Sequence, residues 1–478
     1  MRNTLLYLGF GAAFGLLIGS AFYWEAYWVL LLPFILALIY FGLYYPGQLL
    51  LSLAFFAPLS VNIEEHFENF GLFIPTEPVL FGLMIILLFT HLRKPILTGG
   101  FHKNPLVMIV LIYLSWLFIC SLTSSHPVIS FKAILAKLWY VIPIFVFGDV
   151  LFDSDKKIRL FFWFLTIGTC WVIIYTIYNH SLYGFGEKES HWVMSPFYKD
   201  HTIYGAAVAI VVPFPVLLYL TQDKPTPLWS FILGILFLII LLGLYFSYTR
   251  AAWLSVFGAA LILLSVMMRI KFRYLALAGL VAGGILFLYY DTIQMELARN
   301  KTEHTTEAFD ERIQSAANVT TDASNLERIN RWSCAIEMFK ERPIFGFGPG
   351  TYAFEYAPFQ EPENLTIIST NFGDMGNAHS EYLSALSETG AIGLLLFLVM
   401  IIVLFYQLVK LITTFKANNK RYYIITCGIL FSLSTYFIHA FLNNFLDTDK
   451  AAIPVFGMMA IVIVLNKKAL FAQPEGGI

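Results

Sequence analysis

Residues 228–268 read LWSFILGILFLIILLGLYFSYTRAAWLSVFGAALILLSVMM. Two apolar runs, 228–247 and 250–268, meet at a very short turn, and the one ionised side chain among them is Arg250. A helix rises 1.5 Å per residue, so crossing a hydrocarbon core of roughly 30 Å takes about 20 apolar residues. Each run has about that length, and together they predict a transmembrane helical hairpin. Applied outward along the chain, the same rule predicts spans at 4–23, 26–45, 47–63, 77–92, 104–123, 131–152, 158–178, 201–220, 273–290, 389–412, 421–442 and 451–466. The expected fold is an all-α polytopic membrane protein of about 12–14 transmembrane helices.

Composition points the same way. The 478 residues are 58% hydrophobic and 13% charged, whereas soluble domains carry roughly a quarter charged residues. A net charge of -1 gives no electrostatic footprint for nucleic acid. Cys120, Cys170, Cys334 and Cys427 have neither CxxC nor CxxH spacing, so no disulfide framework and no structural zinc is expected. Arg2 before an apolar run resembles a signal peptide. The aromatic belt Phe22-Tyr23-Trp24, with no small-residue cleavage site, favours a retained first helix.

Charge asymmetry sets the sides. Arg93, Lys94 and Lys103, then Lys156, Lys157 and Arg159, then Arg269, Lys271 and Arg273, then Lys410, Lys416, Lys420 and Arg421, and finally Lys467 and Lys468 all fall on one side of these spans. The positive-inside rule makes that side cytoplasmic, with both termini. Segments 64–68, 179–200, 291–388 and 443–450 then lie outside, which in a bacterium is the periplasm. Four regions follow: N-terminal transmembrane helices with an outer loop at 179–200 (1–200), central transmembrane helices carrying Arg250 (201–290), a large periplasmic loop with short helices (291–388) and C-terminal transmembrane helices (389–478). Lys137, inside the sixth span, must face protein, water or the interface.

The loop 291–388 is too long for a plain connector. Within it, LERINRWSCAIEMFKERP has helical spacing, with Ile329, Trp332, Ile336 and Phe339 on one stripe, Asn325 as a candidate cap and Pro343 as a stop. Gly346, Gly348 and Gly350 in GFGPGTY suit a tight backbone path; no strand precedes them and their spacing is wrong for dinucleotide binding. In DMGNAHSEYLSALSETGAIGLLLF a short helix is expected from Ala378 to Glu388, with Asn377 as cap and a break at Gly390. His379 then lies in the first turn, where a helix also favours anions.

Several side chains at the outer interface are candidates for chemistry. Arg250 sits where the positive-inside rule does not favour it, which argues for anion contact over snorkelling. Lys199, Asp200, His201 and Tyr204 enter the span that follows the second outer loop; Asp200 reads as an N-cap, and the group also reads as part of a site. By spacing alone Arg328 and Arg331 read as solvated charges. His439 with Asn443, Asn444, Asp447 and Asp449 reads as a polar helix cap. His180, His191, His304 and His379 form no set with metal spacing, and neither a metal nor a cofactor is expected.

YTRAAWLS, LERINRWSCAIEMFKERPIFGFGPGTYAFEY and NAHSEYLSALSETGAIGLLLF, in this order, resemble the O-antigen ligase and polymerase superfamily of bacterial inner-membrane glycosyltransferases. The resemblance covers about residues 197–400. It departs from the family's usual His-Asn pair, which here reads His379-Ser380. It implies a glycan on an undecaprenyl-diphosphate-type lipid carrier, moved to an acceptor hydroxyl on lipid A–core, on another lipid-linked glycan or on a protein. His379 would be general base and Arg250 the catalytic cation on the diphosphate. Arg328 and Lys199 would assist, and His201, Asp200, Tyr204 and Arg331 would complete the substrate-binding set. Gly346, Gly348, Gly350 and Asn377 would shape the loop. The implied enzyme is a metal-independent inverting transferase of lipopolysaccharide biosynthesis. An O-antigen or exopolysaccharide polymerase (Wzy type) and a protein O-oligosaccharyltransferase are the near alternatives, and a lipid or polysaccharide transporter is the remote one.

Overall fold

A computed structural model describes residues 2–64, 71–97, 100–270, 323–360 and 376–471, together with 284 and 288. The expected span 273–290, the first part of the long loop with His304, the segment holding Asp374, and residues 65–68 lie wholly or almost wholly outside the described residues. Among the described residues ten helices are long and apolar enough to cross a membrane, which makes the chain an all-α polytopic membrane protein. The expected second and third spans are shorter than their sequence runs. Leu32–Tyr44 and Pro46–Phe56 form separate helices broken at Tyr45-Pro46. Beyond Pro46–Phe56 the chain turns into a two-stranded hairpin, Val61–Asn62 against Phe73–Ile74. Proline cannot continue the preceding helix, which accounts for the break.

Polar contacts sort the connections onto two ends of the bundle. At one end Asp449 accepts from Ser60 and Thr76, Thr249 Oγ1 donates to the His201 carbonyl at 2.7 Å, and Ser125 N donates to the Phe347 carbonyl at 2.9 Å. At the other, Lys467 pairs with Asp149, Lys468 with Asp155, and Arg421 with Asp223. The grouping agrees with the alternation read from the spans. The interior is formed by His201–Leu220 and the last long helix, with 78% and 72% of their apolar windows buried, against 17% for Arg250–Met267 and 22% for Pro227–Tyr245 at the periphery.

Two elements position the loop. The helix Ala323–Glu341 starts before Asn325, so Asn325 lies within it and does not cap it. Its buried face is Glu327, Asn330, Arg331, Cys334, Ala335 and Met338, while Ile336 on the expected apolar stripe is 41% exposed. A face chosen by hydropathy is thus replaced by one chosen by polar partners.

The helix Glu381–Asn418 is kinked at Gly390 (φ 69°, ψ -173°), as the sequence predicts. A break exposes carbonyls that would otherwise bond within the helix. Here the glycine turn and a tryptophan satisfy them. Phe347 N donates to Ser387 O at 3.1 Å, Gly348 N to Glu388 O at 2.9 Å and Trp116 Nε1 to Thr389 O at 3.0 Å. Across the break Ala391 N donates to Pro343 O at 2.9 Å. Gly346 (φ 66°) has no alternative residue, because a Cβ there would lie 2.3 Å from the Glu388 backbone carbon.

Candidate active site

The kinked helix begins at Glu381 with Ser380 as its cap, the Ser380 Oγ accepting from Leu383 N. Asn377 is therefore not the helix cap, and His379 is not in the first turn. Asn377 Oδ1 accepts from His379 N at 2.9 Å, an Asx turn that holds His379 in the left-handed region at φ 46°. A non-glycine residue is uncommon there, and such strain gathers at functional sites. The expected helical start at Ala378 does not form, and His379 lies before the helix.

The segment is held from behind. Trp332 Nε1 donates to the His379 carbonyl at 3.3 Å, and Arg331 Nη1 to the Asn377 carbonyl at 3.4 Å. Arg331 is buried, not solvated as its spacing suggests. Its Nε pairs with Glu327 at 2.8 Å, and its guanidinium lies over the Tyr356 ring at 4.8 Å. Tyr352 OH donates to the Arg331 carbonyl at 2.7 Å.

A second support comes from the helix Lys420–His439. Glu381 N donates to the Ala440 carbonyl at 2.9 Å. The Glu381 carboxylate accepts from Tyr436 OH at 2.7 Å, Phe445 N at 2.9 Å and Leu446 N at 2.7 Å. Lys137 pairs with Asp447 at 2.9 Å, so its place inside a span is resolved by a protein partner. These contacts clamp the turn after His439, which carries Asn443.

Around the imidazole of His379 lie Arg328, Arg331 and Asn443. Asn443 Nδ2 reaches His439 Nε2 at 3.1 Å. An amide NH2 can only donate, so that nitrogen of His439 accepts. His439 in turn lies beside the Ala251 backbone, with Arg328 and Asp200 in electrostatic range. Three distant segments, 200–251, 328–331 and 379–443, therefore meet at one end of the bundle. His439 is buried among these groups, and with Asn443 it was missed as a site residue because its place at a helix end reads as a cap. Asn443 lies in the turn beyond the helix end, so no helical spacing in the sequence pairs it with His439.

Arg250 is half-buried at the first position of Arg250–Met267 and Arg328 is half-buried on the loop helix. A cation at a helix N-terminus opposes the macrodipole, and both favour an anion at that place. Asp200 caps His201–Val211, its carboxylate accepting from Thr202 N at 2.7 Å and Ile203 N at 3.1 Å, as its spacing predicts. His201 lies against His191, ring centroids 4.1 Å apart and the planes tilted by 46°, and Lys199 is exposed two residues before it. Tyr204 is not brought to the cluster: it is buried against Tyr198 and Thr176. Among the described residues no group of three or more His, Cys, Asp or Glu side chains could hold a metal ion.

Electrostatics set the state of His379. Burial, then Arg328 and Arg331, push it down from 6.5 to about 4. It is therefore neutral at physiological pH, and its Nδ1 is buried with no hydrogen-bond partner among the described residues. A neutral imidazole beside two guanidinium groups can take a proton from a hydroxyl while the cations receive an anion.

No curated protein matches the chain. Residues 235–398, which hold Arg250, Arg328, Arg331, the glycine turn and His379, match the family model described as O-antigen ligase. These motifs lie inside the matched region, which spans about a third of the chain and is what makes this part of the protein similar to the O-antigen ligase family.

Proposed function

We propose that the protein transfers a glycan from an undecaprenyl-diphosphate-type lipid carrier to an acceptor hydroxyl at the periplasmic face of the bacterial inner membrane, acting as an O-antigen ligase on lipid A–core. The observation that carries this reading is the meeting of a neutral His379 with Arg328, close to the segment headed by Arg250, inside the matched region. The acceptor oxygen attacks the anomeric carbon as His379 takes its proton. The bond from that carbon to the diphosphate oxygen breaks, and configuration inverts. Charge grows on the departing lipid diphosphate, where Arg250 and Arg328 stabilise it and Lys199 draws it in; fixed cations where charge develops are among the largest catalytic effects. Arg331, spent on Glu327 and the Asn377 carbonyl, holds the segment bearing His379. Asn443, hydrogen-bonded to His439, braces the imidazole of His379, and Asp200 caps the helix that carries His201. No step calls for a metal.

The test is transfer by purified protein in nanodiscs, with a lipid-diphosphate-linked glycan and three acceptors offered separately: lipid A–core, a second lipid-linked glycan and a periplasmic protein. Wild type, His379→Ala and Arg250→Ala run side by side with chelator. Transfer to lipid A–core, lost in both variants, is the expected result. Transfer to the second glycan instead identifies a polymerase. Full activity in His379→Ala removes the base assignment, and no transfer by folded protein given its native donor overturns the reading.

A further inference from the structure

At the end of the bundle opposite His379, a cavity of about 510 Å³ opens between the start of Pro105–Leu122, the far end of Glu381–Asn418 and the end of Asp449–Phe471. Its polar part is built. Gln407, 6% exposed, donates to Asn104 Oδ1 at 2.8 Å and accepts from Asn466 Nδ2 at 2.7 Å, so one amide chain ties the three helices together. Lys103 and Lys410 are exposed at its rim, and Lys467, paired with Asp149, closes a third side. Asn104 caps Pro105–Leu122, so the positive end of a helix also points there. Apart from the Tyr406 and Thr414 hydroxyls the remaining lining is apolar, with Val403, Leu411 and Leu470 along the helix flanks. Cationic rim, amide floor and apolar flank match a phosphate headgroup joined to acyl chains.

We propose that this cavity binds an anionic glycerophospholipid, with the headgroup phosphate at Lys103 and Lys410 and an acyl chain along Val403 and Leu411. Basic pockets between transmembrane helices recognise anionic headgroups by this combination, and each lysine near the surface adds attraction. The site is separate from the glycan-transfer centre, so it stands or falls independently of the proposed reaction.

The experiment is lipid titration of the full-length protein in detergent, read by native mass spectrometry and by thermal unfolding, with phosphatidylglycerol against phosphatidylcholine. Lys103→Gln/Lys410→Gln removes the rim charge. Val403→Trp fills the apolar flank and leaves every charge in place. Lys416→Gln removes an exposed lysine at the same end that does not line the cavity. Wild type and Lys416→Gln are expected to retain phosphatidylglycerol preferentially and to be stabilised by it. The double variant is expected to bind it about thirtyfold more weakly, and Val403→Trp to lose the preference. Equal retention of the two lipids by wild type, or a phosphatidylglycerol preference that survives in either cavity variant, overturns the proposal in favour of diffuse surface charge.

Discussion

Replacing Arg328 with glutamine is expected to move the acid limb of the pH–rate profile toward neutrality. His379 is pushed from 6.5 to about 4, by burial first, then by Arg328, then by Arg331. Asn443 and Glu327 push the other way, so Arg328 is the largest charge holding the imidazole down. Removing Arg328 should therefore raise the limb by about 0.5–1 pH unit, worth about 0.7–1.4 kcal/mol. The sign follows from the role: the neutral imidazole is the active base, so activity falls as pH drops through its pKa. Wild type should keep its activity through mildly acidic pH and lose half near 4, whereas Arg328→Gln should lose half at about pH 4.5–5. The assay is glycan transfer under kcat/KM conditions in nanodiscs, paired with the NMR titration of the His379 ring, assigned through His379→Asn. Arg328 also receives the diphosphate in the proposed reaction, so the variant's rate falls at every pH. The position of the limb is independent of its height and is the quantity that decides. A wild-type limb near 6.5, or a limb and ring titration unmoved by Arg328→Gln, would refute the reasoning.

Other perturbations reach separate parts of the site. Arg250→Ala should lower kcat by about 10²–10³-fold, and Arg250→Lys should recover part of the loss because it keeps the charge without the bidentate fork; equal rates in wild type and Arg250→Ala would remove the clamp. Gly390→Ala forces a side chain onto φ 69° with its Cβ 2.1 Å from the Ile344 carbonyl oxygen, a backbone atom that has no room to yield. It should cost at least about 2 kcal/mol and lower the thermal midpoint, and an unchanged midpoint would show that the kink does not depend on glycine. Glu381→Ala strips the acceptor from Tyr436 OH, Phe445 N and Leu446 N. The expected loss is about 3–5 kcal/mol, with amide exchange rising at residues 445 and 446 before the rest of the bundle; exchange unchanged there would deny the clamp.

What the sequence made legible follows the range of the forces involved. Membrane-length runs such as 228–247 and 250–268 depend on local hydropathy alone, and they formed helices where expected. Gly346 and Gly390 depend on the local backbone, and both adopt positive φ. Asp200 caps its helix because an N-cap needs only the next three residues. The buried face of Ala323–Glu341 was not legible, since its choice of Glu327 and Arg331 over Ile329 and Ile336 depends on Tyr352, Tyr356 and Asn377, which are 21 or more residues further along the chain from Arg331. His379 was placed in a helix for a related reason. Its own sequence permits a helical start at Ala378 with Asn377 as cap, in competition with the observed start at Glu381. The competition is settled by Glu381, whose backbone and carboxylate both bind the end of Lys420–His439 and the turn after it. Starting the helix at Glu381 leaves His379 outside it, in a left-handed turn between Trp332 and Asn443. The imidazole then projects from a strained turn braced on two sides, and it is set by the same contacts that bring His439 to the site. A base that must meet an acceptor at fixed geometry gains from that bracing, because the turn is held before the substrate arrives. The feature that sequence reading mistook for a helix start is the one that orients the proposed base.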